Sequence, residues 1–187
     1  MSRRVGAFTC LVCAQALAAC ATLPPGIADS AALAARVAVD VCVPYVSDGV
    51  SFQKARRALD GGWSQRFPEL LTSGPPGPVL RRGSAELSFV PERINPASGS
   101  QKPRVCIITV QGTTATDLIA EVERALPVRP AGQSDDPDAV PARYCLPQRA
   151  GRGSSVWVLQ YPPKNPRAPL DRRVGLSINQ SFQGGCS

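Results

Sequence analysis

Four cysteines far apart in the chain, Cys42, Cys106, Cys145 and Cys186, constrain this sequence most, because no histidine accompanies them. Thiolates bind zinc in closely spaced pairs such as Cys-x-x-Cys, and that spacing is absent beyond residue 20. No metal site and no cofactor is expected. The remaining use for an even set of distant thiols is crosslinking in an oxidising compartment. Four cysteines allow three connectivities, and spacing does not choose among them. Cys42 closes an expected helix, Cys106 lies in the most apolar expected strand, and Cys186 needs a tether near the chain end. These placements favour Cys42 with Cys106 and Cys145 with Cys186.

The other three of the seven cysteines, Cys10, Cys13 and Cys20, fall in the first twenty residues. There Arg3 and Arg4 precede an apolar run from Val5 to Ala19, the charged start and short apolar core that export peptidases read. The run is shorter than the roughly 20 apolar residues of a spanning helix, and Pro24, Pro25 and Gly26 follow it in place of a basic stop.

Leu17, Ala18, Ala19 and Cys20 match the lipobox at all four positions, so residues 1–19 resemble the signal peptide of a bacterial lipoprotein precursor. The resemblance implies cleavage before Cys20, lipid on its sulfur, and Ala21 directing the product to the outer membrane, facing the periplasm. One acyl chain binds a membrane only reversibly, at roughly 0.8 kcal/mol per buried methylene, whereas the three chains of such lipoproteins anchor it. Removing Cys10 and Cys13 with the leader, and modifying Cys20, leaves the even set. In size, leader and cysteine usage the chain is similar to the uncharacterised small envelope lipoproteins of proteobacteria. That group carries no assigned activity, so it implies no functional residues. A soluble periplasmic protein without lipid is the first alternative.

Residues 20–28 read as a tether and residues 29–187 as one domain, a size that buries roughly 70 % of the unfolded surface. Asp29 and Ser30 can cap a helix in which Leu33, Val37 and Val41 share a face, with Pro44 expected to stop it near Cys42. A short helix from Ser51 to Leu59 would bury Phe52, Ala55 and Leu59, and Gly61 with Gly62 would end it. Trp63 and Phe67 read as core. Alternation predicts strands at 85–90, 104–110, 142–146, 155–161 and 174–179. Thr114 with Asp117 resembles a capping box opening a helix that buries Leu118, Val122 and Leu126. Prolines, 19 in number, read as punctuation between elements. The order predicts an α+β fold, a mainly antiparallel sheet with about three helices on one face.

The absence of histidine closes the Ser-His-Asp and Cys-His routes and every His-ligated metal. A binding or structural protein, not an enzyme, is the expectation; a cell-wall hydrolase using paired carboxylates is the catalytic alternative. Gln111, Gly112, Thr113 and Thr114 lack the glycines and lysine of a phosphate-binding loop and read as a turn with a helix cap. Asp135, Asp136 and Asp138 are interrupted by Pro137 and read as an acidic surface loop, not a calcium site.

The formal charge of +7 is carried mostly by arginine. Arg56 and Arg57 with Arg81 and Arg82 are the candidate anion-binding residues, for anionic lipid or envelope polysaccharide. Nucleic acid is not an expected partner, since export removes the chain from it and aromatic residues are sparse among the basic ones.

Overall fold

The computed structural model describes residues 27–66, 77–94, 96–132, 134–149, 152–162, 173–181 and 186. The leader, Cys20 and Phe67 lie outside them. The fold is α+β. Eight strands form one antiparallel sheet in the order β1-β2-β3-β6-β10-β9-β8-β7, and two further short strands pair separately. The strands are β1 Ser64–Arg66, β2 Val79–Arg82, β3 Ala85–Val90, β4 Arg93–Ile94, β5 Gln101–Lys102, β6 Val105–Gln111, β7 Arg129–Pro130, β8 Ala142–Arg149, β9 Arg152–Tyr161 and β10 Arg173–Ser181. The helices are α1 Ile27–Val37, α2 Val43–Ser47, α3 Phe52–Arg57 and α4 Ala115–Ala125.

Alternation along each strand sorts its side chains between two faces. Leu87 and Phe89 of β3, Cys106, Ile108 and Val110 of β6, Val174, Leu176 and Ile178 of β10, and Val156 and Val158 of β9 are buried on the same face. The helices lie on that face. Phe89 meets the rings of Tyr45 at 5.1 Å and Phe52 at 5.0 Å, which seats α2 and α3. Leu118 and Val122 of α4 are fully buried and Leu126 nearly so. Thr114 caps α4 by accepting from the Asp117 N–H at 3.1 Å, while its hydroxyl donates to the Asp117 carboxylate at 2.7 Å.

Pro44 does not end the first helix. A π-helical turn, Ala38–Cys42, follows α1, and α2 carries Pro44 in its first turn. The wider turn lets the Val43 N–H reach the Ala38 carbonyl, and a proline at the start of the next α-turn has no N–H to leave unpaired. Asp29 and Ser30 also lie inside α1, which begins at Ile27. The stretch Ser30–Ser47 is long and apolar enough to cross a membrane by length and composition, yet most of it is buried inside the fold. Its apolar face covers the sheet. Arg104 closes the rod by donating to the carbonyls of Tyr45 at 3.1 Å and Val50 at 3.2 Å, a cation set at a helix C-terminus.

Both disulfides form as the placement argument pairs them, Cys42 with Cys106 and Cys145 with Cys186. They lie on opposite faces of the sheet. Cys106 points toward the helices, whereas Cys145 sits opposite Ser155 on the far face. Not every proline is punctuation. Pro130 occupies the edge strand β7, where a missing donor costs least, and Pro147 lies where the β8–β9 register slips between Leu146 and Arg149.

Candidate functional site

The four arginines singled out from the sequence are not gathered on one face. Arg81 and Arg82 are consecutive in β2 and therefore point to opposite sides of the sheet. Arg81 pairs with Glu86 at 2.6 Å, and Arg82 pairs with Asp60 at 2.6 Å. Arg56 donates to Gln65 at 3.0 Å, and Arg57 is exposed at the end of α3. A small groove beside α3 is lined by Arg36, Asp40, Leu59 and Asp60. Asp60 is held below the ordinary carboxylate range, first by its hydrogen bond from Arg82, so it is a poor proton donor.

The sheet face turned away from the helices has a different character. Ile107 of β6, Ser177 of β10 and Trp157 of β9 lie side by side across it, and Arg143 of β8 follows Trp157. The Arg143 guanidinium stacks over the Trp157 ring at 4.8 Å. Four residues further along β9, on its other edge, Arg173 of β10 stacks over Tyr161 at 5.6 Å. Tyr161 lies across β10 because Gly175 has no side chain; a Cβ there would sit 3.3 Å from its ring. Burial raises the Tyr161 pKa, with Arg173 opposing and Glu86 adding to the rise.

Several arginines are paired with an acid and these two are not; Arg56, Arg57 and Arg129, also without a carboxylate partner among the described residues, are exposed. Arg36, Arg81, Arg82, Arg104, Arg124 and Arg149 each have a carboxylate within 4.0 Å. Neither Arg143 nor Arg173 has such a partner among the described residues, and both are half-buried. Beside Arg143 a recess of about 350 Å³ opens, lined also by Ser155, Trp157, Asn179, Gln180 and Cys186. Arg143 Nε and Trp157 Nε1 are buried with no acceptor among the described residues. The Cys145–Cys186 bond forms part of the wall.

The loops weighed in the sequence have local explanations. Gly112 takes φ +74° to turn β6 into the α4 cap. Asp136 accepts from the Ala139 N–H at 3.1 Å, a turn-forming contact. Glu123 accepts from the Tyr144 hydroxyl at 2.8 Å, Glu121 pairs with Arg124, and Asp48 pairs with Arg149. Among the described residues no cluster of three or more cysteine, aspartate and glutamate side chains could hold a metal ion.

In the sequence Arg143 and Trp157 fall in two expected strands and belong to no motif. The signal was present as two large, outward-phased residues in neighbouring strands. Only the β8–β9 register makes them partners. No family model, curated protein or solved structure matches this chain.

Proposed function

We propose that this chain is a non-enzymatic envelope lipoprotein, anchored through Cys20, whose sheet face opposite the helices binds anionic envelope polysaccharide. One observation carries the binding half of the reading. Arg143 and Arg173 are each stacked on an aromatic ring of that face and lack a carboxylate partner among the described residues. A guanidinium so stacked is held in one plane and keeps its donors for an external anion. Rings spaced along one strand, Trp157 and Tyr161, suit an extended chain of sugars, since four strand residues span roughly 13 Å. Anionic lipid headgroups fit less well, because a flat membrane asks for exposed basic side chains and Arg81 and Arg82 are engaged by acids on opposite faces.

The lipobox supports the anchoring half. Fractionation of wild-type and Cys20→Ser cells tests it: the wild type goes with membranes and the variant becomes soluble. Recovery of the wild-type protein in the soluble periplasm would reject the anchor. For binding, the mature chain is passed over immobilised acidic and neutral polysaccharide across a salt series. Retention on the acidic matrix that falls with salt is expected. Equal retention on the neutral matrix, or none on either, would reject the polysaccharide reading.

A further inference from the structure

We infer that the recess beside Arg143 is a single-residue site for a carboxylate-bearing sugar, the uronic-acid class, with Arg143 as its anion receptor. This rests on the polysaccharide reading above and narrows it to one place and one charge. At about 350 Å³ the recess lies at the lower end of ligand-pocket sizes. It suits one ring and not a chain.

Its chemistry selects the ligand. Arg143 is the one cation among the described residues that line it, so a singly charged group is neutralised and a phosphate dianion is not. A planar carboxylate also matches the guanidinium fork, which donates two parallel hydrogen bonds to it. The indole of Trp157, 4.8 Å below, fixes the plane of that fork. Around it stand neutral groups suited to sugar hydroxyls: the Ser155 hydroxyl and the Asn179 amide, which pair across β9 and β10 on this face.

Asn179 is already oriented. Its amide nitrogen donates to the Ser177 carbonyl at 3.3 Å and its amide oxygen accepts from the Ser177 hydroxyl at 3.1 Å. One amide hydrogen remains for a ligand. Arg143 Nε and Trp157 Nε1 are the second, independent pointer. Buried N–H groups without an acceptor are uncommon in folded proteins, and two that have none among the described residues belong to neighbouring residues of this one recess.

The test uses the oxidised mature chain with Trp63→Phe, so that Trp157 is the sole indole and reports by fluorescence. Galacturonate, galactose and inorganic phosphate are titrated separately, with calorimetry alongside. Galacturonate is expected to change the Trp157 emission and to bind at least tenfold tighter than galactose or phosphate. Arg143→Gln is expected to weaken galacturonate at least tenfold. Arg143→Lys, which keeps charge without the fork, should fall between, and Arg124→Gln on α4 should leave binding unchanged.

Equal binding of galactose, tighter binding of phosphate, or an Arg143→Gln variant that is folded by circular dichroism and binds as the wild type would overturn the assignment. Retention on acidic polysaccharide without any galacturonate signal would overturn it too, while leaving the broader function standing.

Discussion

Replacing Cys42 and Cys106 together with alanine tests the energetic core of the fold. The two residues are 64 apart in sequence, and the chain-entropy treatment gives a loop of that length about 4.3 kcal/mol at 25 °C. The same treatment gives about 3.9 kcal/mol for Cys145–Cys186, separated by 41, because the dependence on length is only logarithmic. Packing then separates the two. Cys42 and Cys106 are fully buried between the π-helical turn and β6, so removing both sulfurs also leaves a void costing on the order of 1 kcal/mol. A total of about 5 kcal/mol is expected, a large share of the 5–15 kcal/mol typical of a domain.

Urea unfolding of the oxidised mature chain and of the double variant measures it. The midpoint should fall, and the denaturant slope should rise because the uncrosslinked unfolded chain exposes more surface. A loss below about 1.5 kcal/mol with an unchanged slope would refute the loop argument. Two free thiols in the unreduced wild type would refute the pairing itself.

Phe89 is fully buried against Tyr45 and Phe52, and Phe89→Ala should cost about 3–5 kcal/mol in the same assay. Gly175→Ala should cost about 1–3 kcal/mol, since the new Cβ would stand 2.9 Å from the Ile108 carbonyl oxygen, and it should also displace Tyr161. Burial and the Glu123 carboxylate raise the Tyr144 pKa to about 12 from an ordinary 10.0. The protonated phenol is favoured by the folded state, so this contribution is complete below pH 10 and is lost as pH rises from 10 toward 12. Stability measured over that window should fall, and Tyr144→Phe should flatten the fall; a variant with an unchanged alkaline limb would contradict the assignment.

Strands β3, β6 and β9 and the capped helix α4 were legible because each carries its own signal. Alternating apolar residues phase a strand against its core, and Thr114 with Asp117 closes a helix end within one turn. The short strands were not. Val79–Arg82 is four residues long and half arginine, and its best signal is the tight turn at Gly83, which takes φ +56° before β3. The passage through Pro44 was also hidden, because a π-helical turn has no local sequence signature.

By itself the sequence determined the fold class, the faces of its strongest elements and the even set of four thiols, which follow from short-range periodicity and from counting; the pairing it favoured is fixed by where the fold sets each cysteine. Tertiary structure decided which charges meet. Arg81 and Arg82 are neighbours in the chain yet face opposite sides of the sheet, whereas Arg143 and Trp157, 14 positions apart, stack in adjacent strands. The physical reason is that strand register, set by the whole core, fixes which side chains share a face. A site built across strands is therefore written in no single stretch of sequence.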